Sequence, residues 1–304
     1  MSHHDNPVCI MDEPGKDWMR SRRIRRRHTR LPPINTPSVF IVALLLVSLS
    51  PIVAFLPTST TIPCRSTTLL HSTIPQHVAF ICDGNSRWAK ARSLPTAVGH
   101  AAGADRLMAV LDALRDAGVN YATMYGFSTE NWKRPQKEVD EILTIIERTA
   151  RQMFDKALRE RVRIRILGDL EDERLPESLR EVLYQLERET SRLDTETTLC
   201  LAINYGGRTD ILRAAARLAV SGDEITEESF SRMLSTDGIP DPDLIVRTSG
   251  ESRLSNFLLW NAAYSELYFT DTLWPDFDET CLDEALDWYA RRKRRFGARE
   301  VVGR

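Results

Sequence analysis

Three short strings in this 304-residue chain combine residue types that together could handle phosphorylated substrates. The first is Asp83-Gly84-Asn85-Ser86-Arg87-Trp88, which follows an apolar run and opens toward a helix. Gly84 permits close backbone approach, the free N–H groups of a helix start favour phosphate, and Arg87 supplies a forked donor. Asp83 could hold Mg²⁺ against the same phosphate. The alternative is a turn that only joins strand to helix. The second string runs from Arg247 through Thr248, Ser249, Gly250, Glu251 and Ser252 to Arg253, Leu254 and Ser255. Two arginines six apart around a turn can converge on one diphosphate, although a lone loop arginine is usually just solvated. The third is Phe127-Ser128-Thr129-Glu130-Asn131-Trp132-Lys133-Arg134-Pro135, in which Trp132 could equally be core and Arg134 surface.

Several other chemistries are excluded. No GxxxxGK[ST] or GxGxxG string is present, and Asn85 stands where a phosphatase-type loop needs a second Asp. No His/Cys/Asp set has metal-ligand spacing, and no Ser-His-Asp arrangement is suggested. The five cysteines, Cys9, Cys64, Cys82, Cys200 and Cys281, are odd in number and lack a CxxC pair, so they form neither a disulfide framework nor a zinc site. Cys82 and Cys200 sit in apolar runs and read as small core residues. Two anion clusters with one carboxylate between them suggest two phosphorylated, apolar substrates.

These strings need a scaffold, and the pattern from residue 76 onward supplies one. Apolar runs at 77–82, 121–127, 162–167, 199–203, 244–246 and 266–269 read as strands. Helical spacing occupies 101–117, 139–158, 176–193, 210–220 and 281–295. The alternation predicts a single α/β domain over 76–304, with a mostly parallel central sheet of about six strands flanked by helices. Ligands in such sheets bind at the carboxyl ends of strands, where all three strings fall. The 42% hydrophobic and 28% charged composition is that of a globular protein. Residues 76–304 hold 32 Lys and Arg against 39 Asp and Glu, a poor footing for nonspecific nucleic-acid binding.

Residues 1–75 have a different character. Seven arginines and no acid lie between Met19 and Arg30, ahead of an 18-residue apolar stretch at 39–56. That stretch suits a signal segment, and the central Ser50-Pro51 and the nine-residue unbroken core favour cleavage over an uncleaved membrane anchor. Residues 55–75 are rich in Ser and Thr and lack acid, like a transit peptide. The whole resembles the bipartite plastid presequence of algae with secondary plastids. The alternative is an anchor with a disordered linker at the endoplasmic reticulum membrane.

Taken together, the strings resemble the cis-prenyltransferases, the family of undecaprenyl diphosphate synthase and dehydrodolichyl diphosphate synthase. The likeness runs from His77 to Gly297 and includes the Asp83 loop, Gly99-His100, Gly103 and the 125–135 string. It continues through Asn204-Tyr205-Gly206-Gly207-Arg208, Asp243 to Thr248, Ser255 to Trp260, Glu266-Leu267-Tyr268-Phe269 and Trp274-Pro275-Asp276-Phe277. The resemblance implies an undecaprenyl diphosphate synthase-like fold. It also implies Mg²⁺-dependent cis condensation of isopentenyl diphosphate onto an allylic diphosphate such as farnesyl diphosphate. Asp83 would bind Mg²⁺ and Asn131 would assist at the reacting centre. Gly84, Asn85, Ser86 and Arg87, with Trp88 and His100 nearby, would hold the allylic diphosphate. Ser128, Thr129, Glu130, Trp132 and Arg134 would flank Asn131. Arg247, Arg253 and Ser255 would hold isopentenyl diphosphate, and Glu266 would complete the metal site. Thr96 and Ser86 depart from the residues often seen at those positions. Arg295-Phe296-Gly297 resembles a tail element that reaches a partner's active site, which implies a homodimer or a heteromer with a related subunit. A non-catalytic subunit of such a heteromer is the competing reading. Product length would follow the bulk lining an apolar tunnel between helices and sheet.

Overall fold

The structure, a computed structural model, describes residues 74–294. The expectations for 39–56, for nearly all of 55–75 and for Arg295-Phe296-Gly297 fall outside the described residues. Among the described residues, no helix is long and apolar enough to cross a membrane.

Six strands form one wholly parallel sheet: β1 (His77–Ile81), β2 (Tyr121–Ser128), β3 (Arg163–Leu167), β4 (Thr198–Tyr205), β5 (Leu244–Arg247) and β6 (Glu266–Phe269). Their order is β3-β4-β2-β1-β5-β6. The inner strands β1, β4 and β5 are buried along their whole length, as a parallel sheet covered on both faces requires. Alternation divides the core. Val78, Phe80, Met124, Leu199 and Leu201 join one cluster; Ala79, Ile81, Cys200, Ala202 and Ile245 join the other, under Phe257 and Leu258.

The helices are α1 (Asn85–Ala91), α2 (Thr96–Asp116), α3 (Gln136–Glu160), α4 (Glu177–Thr190), α5 (Gly207–Ser221), α6 (Glu227–Ser231) and α7 (Glu279–Ala290). α3 buries Val139, Ile142, Leu143, Ala150, Met153 and Ala157, the stripe its periodicity predicts. α2 starts five residues earlier than expected, directly after Pro95. Its first turns carry Gly99, His100 and Gly103 where an apolar stripe would stand, so periodicity does not reveal them. α6 is too short for periodicity; Thr226 and Ser229 cap it reciprocally. α7 stops at Ala290, short of the expected 295. Arg292 and Arg294 leave the helix to pair with Glu266 and Asp243.

The base of the sheet carries an acid-sensitive group. His77 is buried, with Nδ1 at 2.6 Å from the Pro240 carbonyl and Nε2 at 2.7 Å from Thr123 Oγ1. Burial lowers it from 6.5 to about 4, against smaller opposing effects of Pro240 and Asp243. The unfolded chain therefore takes up its proton first. Stability is unaffected above 6.5, falls as pH drops toward 4, and loses on the order of 3 kcal/mol to this residue. His100, also lowered, adds in the same direction. Thermal unfolding midpoints measured from pH 7 to pH 4 should fall, and His77→Gln should flatten the slope; an equally steep slope in that variant would remove His77 as its cause.

Candidate active site

Strand pairing joins two of the three strings. β1 and β5 lie side by side with Ile81 opposite Arg247, so the loops leaving them meet. The Asp83 N–H donates to Thr248 Oγ1 at 3.0 Å, and that hydroxyl donates to the Asp83 carbonyl at 2.7 Å. The Trp274 N–H reaches the same carbonyl at 3.0 Å. The carboxylate accepts from the Gly84 N–H at 2.7 Å and from Arg247 Nη2 at 3.0 Å, and Arg87 Nη2 lies 3.4 Å away. Partial burial by itself would raise the Asp83 carboxyl. The hydrogen bond and charge of Arg247, then Arg87 and the Gly84 N–H, outweigh it and hold Asp83 below the usual carboxylate range.

Arg247 is 3% exposed and acts as the organiser of its own loop. Its Nη1 donates to the Arg253 carbonyl and, at 2.6 Å, to Ser255 Oγ. The loop is tightly coiled: Ser249, Ser255, Asn256 and Leu258 all have positive φ, a cost that surrounding contacts must offset. Arg87 closes it from the other side, donating to the Ser249 carbonyl at 2.9 Å and to Ser249 Oγ at 2.5 Å. Gly84, at φ 109, faces Ser249 and Leu273, where a Cβ would lie 3.0–3.1 Å from both. Glu251 stands 3.7 Å from Arg87 and 2.5 Å from Arg253. An arriving diphosphate would compete with that carboxylate for both guanidinium groups.

The third string enters from the end of β2. Ser128 caps a 3₁₀ turn over Thr129–Lys133: its N–H donates to Asn131 Oδ1 at 2.9 Å, and its Oγ accepts from the Glu130 N–H at 3.0 Å. Glu130 accepts from Ser128 Oγ at 2.7 Å and from Asn256 Nδ2 at 2.8 Å, bridging this turn to the Arg247 loop. Desolvation would raise its carboxyl, but Ser128 and Asn256 lower it overall.

The three strings enclose a cleft of about 560 Å³ at the carboxyl ends of the strands. Of the expected site residues, Asp83, Gly84, Asn85, Ser86, Arg87, His100, Ser128, Glu130, Asn131, Arg134, Arg247 and Ser255 line it. Tyr125, Gly126 and Asn256 line it as well and were not singled out from sequence. Asn256 directly follows Ser255, and Tyr125 begins the quoted 125–135 string; that adjacency was the available signal. Burial raises the Tyr125 hydroxyl to about 12, so it stays protonated. Cys82, expected in the core, is only partly buried and lines the cleft. Burial, then Asp83, push its thiol up, which keeps it unreactive.

Other expected residues sit elsewhere. Trp88 Nε1 donates to Asp276 at 2.6 Å, with Arg92 stacked 4.2 Å from its ring, and it does not line the cleft. Thr129, Trp132 and Arg253 stand behind or beside the lining, and Thr96 is the first residue of α2. Glu266 is not brought to the cleft. It begins β6, opposite Leu244, three residues before the end where Arg247 lies, and it pairs with Arg292 at 2.9 Å. Its string promised the right strand but not the right end of it.

The cleft continues downward as an apolar channel of about 120 Å³ between α2, α3 and the strands. Asn85 and His100 stand at the junction of the two spaces. Asn85 Oδ1 and His100 Nδ1 are buried there without a hydrogen-bond partner among the described residues. Gly103 lets α2 pass Asn85, since a Cβ there would lie 2.2 Å from Oδ1. Burial, then the charge of Arg134, lower His100, so its ring is neutral at pH 7. Ile142, Ile145, Ile146 and Leu107 line the channel, and Met153 separates it from a lower cavity of about 50 Å³.

Asp83 suits a magnesium ion that arrives with its substrate. Among the described residues no three His, Cys, Asp or Glu side chains gather as a closed cage. Mg²⁺ needs no such cage, because it binds through one or two carboxylates plus substrate phosphates. An ionised Asp83 between two loops with anion-binding arginines supplies that minimum.

Residues 81–297 match the protein family described as "Putative undecaprenyl diphosphate synthase". The isoprenyl transferase of Agrobacterium fabrum is 46% identical over 238 residues, spanning 76% of this chain and 95% of that protein. The isoprenyl transferase of Thermotoga maritima is 47% identical over 229 residues, spanning 74% and 97%. Among solved structures, lavandulyl diphosphate synthase from Lavandula x intermedia in complex with dimethylallyl diphosphate superposes with a TM-score of 0.71. It is 34% identical, and the match covers 75% of this chain and all of that one.

Proposed function

The chain belongs to the undecaprenyl diphosphate synthase family of cis-prenyltransferases and is a prenyl-transferring polyprenyl diphosphate synthase; from this we propose that it joins isopentenyl diphosphate to an allylic diphosphate in a Mg²⁺-assisted reaction at Asp83. The observation that carries this reading is the position of Asp83. It lies between the Arg87 and Arg247 loops, above an apolar channel that leads away from both.

Loss of diphosphate from an allylic carbon builds negative charge on oxygen. Bound Mg²⁺ would supply Lewis-acid stabilisation of that charge. Arg87, its side chain half exposed, is placed to take the allylic diphosphate once it leaves Glu251. Arg253, oriented through its carbonyl by Arg247, and Ser255 would receive the isopentenyl diphosphate. Asn131, whose Oδ1 is engaged by the turn, lines the cleft and would offer its amide N–H groups as donors at the reacting centre. Condensation is then a positioning task for two diphosphates held in one cleft. The apolar tail would enter the channel beneath His100 and displace water from its Ile-rich walls.

The test is incubation of the full chain with Mg²⁺, labelled isopentenyl diphosphate and allylic primers of several lengths. A ladder of polyprenyl diphosphates, abolished by chelation, is expected. No product from the folded chain alone would favour a subunit that needs a related partner. Met153→Ala should shift the ladder toward longer products, because the side chain separating channel and lower cavity is removed. It should also cost about 2–5 kcal/mol of stability as a buried truncation. An unchanged ladder would place the channel floor elsewhere.

A further inference from the structure

The turn that carries Glu130 and Asn131 is too short to hold itself still. It is a five-residue 3₁₀ turn with no buried residue. Besides the Ser128 cap and the Glu130–Asn256 bond, it is steadied from behind the cleft, on Trp132. The indole N–H donates to Asn204 Oδ1 at 2.8 Å. Its ring packs edge-on against Phe127, with centroids 5.0 Å apart, and the Arg174 guanidinium lies 4.5 Å from its centre.

Each of these partners is itself fastened. Asn204 is the next-to-last residue of β4, is 2% exposed, and holds φ at 50, in the left-handed region that asparagine adopts more readily than most residues. Its Nδ2 donates to the Asp169 carbonyl at 2.9 Å and to Asp172 Oδ2 at 3.1 Å. Arg174 returns to Asp172 at 2.5 Å, and Arg213 pairs with Asp169. Because β4 lies between β3 and β2, the carboxyl ends of three neighbouring strands converge on one indole. None of Asn204, Asp169, Asp172 or Arg174 lines the cleft.

We propose that Asn204, with the Asp172–Arg174 pair, is a positioning clamp that holds Trp132 and thereby places Asn131 and Glu130 for reaction. This rests on the reading of Asn131 as a residue of the reacting centre. Reacting groups must be held within a fraction of an ångström, and loop-borne groups meet that only when the residues behind them are locked. A clamp of this kind acts on the transition state more than on substrate capture, so its loss lowers kcat and leaves KM little changed.

The test uses the full chain with Trp132→Phe, which keeps an aromatic ring, smaller than the indole, and loses the N–H donor, and Asn204→Gly, which tolerates the positive φ. Each should lower kcat about tenfold, with KM for isopentenyl diphosphate within about twofold of wild type. The double variant should be no slower than the slower single variant, since both remove one interaction. Arg174→Lys, which loses the planar stack, should lower kcat in the same direction. Asn131→Ala is measured alongside. If it is inactive while folded Trp132→Phe and Asn204→Gly keep wild-type kcat, or change only KM, or add independently, the clamp is overturned and the Asn131 reading stands. If Asn131→Ala itself keeps wild-type kcat, the underlying reading of Asn131 fails instead.

Discussion

Asp83→Asn yields a folded chain whose turnover falls by about three orders of magnitude. The substitution keeps the shape but changes the chemistry in two ways. An amide is a poor ligand for a hard divalent ion, so the site's one carboxylate contribution to Mg²⁺ is lost. Its N–H₂ would also face donors, because Arg247 Nη2, Arg87 Nη2 and the Gly84 N–H all point at the present carboxylate. The backbone hydrogen bonds to Thr248 and Trp274 do not involve the side chain, so the loop should hold its place. Steady-state rates at saturating Mg²⁺, paired with an unfolding curve, check this. A folded variant within tenfold of wild type would refute the role given to Asp83. The depressed carboxyl adds a pH corollary. Asp83 stays ionised down past the ordinary carboxylate range, so acid loss of activity between pH 6.5 and 4 should follow the fold through His77 and His100.

Arg247→Lys is the second large effect, about a hundredfold in kcat/KM, carried mainly by KM for isopentenyl diphosphate. Arginine and lysine carry the same charge, but only the planar fork reaches three acceptors at once. Arg247 serves Asp83 Oδ2, the Arg253 carbonyl and Ser255 Oγ from a nearly closed environment. A lysine ammonium placed for Asp83 would release the turn at Arg253 and Ser255, which holds several strained positive-φ residues. Binding of each substrate measured separately checks the assignment. Isopentenyl diphosphate should weaken far more than the allylic diphosphate. Equal weakening of both would mean that Arg247 supports the whole cleft rather than one half.

Both effects depend on contacts that are local in space and distant in the chain, which marks what was legible beforehand. The parallel sheet was readable because buried strands and amphipathic helices alternate with periods that burial imposes residue by residue. The weakest element predictions came where those periods are absent: the Gly99-His100 start of α2, the five-residue α6, and the end of α7, where ion pairs outcompete the helix. Twelve of the expected site residues share the cleft because each loop string is a contiguous piece of chain at a strand's carboxyl end. Trp88 and Glu266 lie away from the cleft lining for the opposite reason. A side chain's direction depends on its partner, here Asp276 and Arg292, and neither partner is near in sequence.

The sequence by itself determined the fold class, the three strings that line the cleft, and the family they belong to. Those are properties of residue type and short spacing, which local sterics and burial translate directly into structure. Only the tertiary structure decided that Arg247 grips Asp83, that Thr248 and Trp274 hold the Asp83 backbone, and that Asn204 and Arg174 stand behind Trp132. These partners are brought together by the order of strands in the sheet. Strand order is a collective outcome of packing, and the periodicity of a single strand does not encode which neighbour it will have.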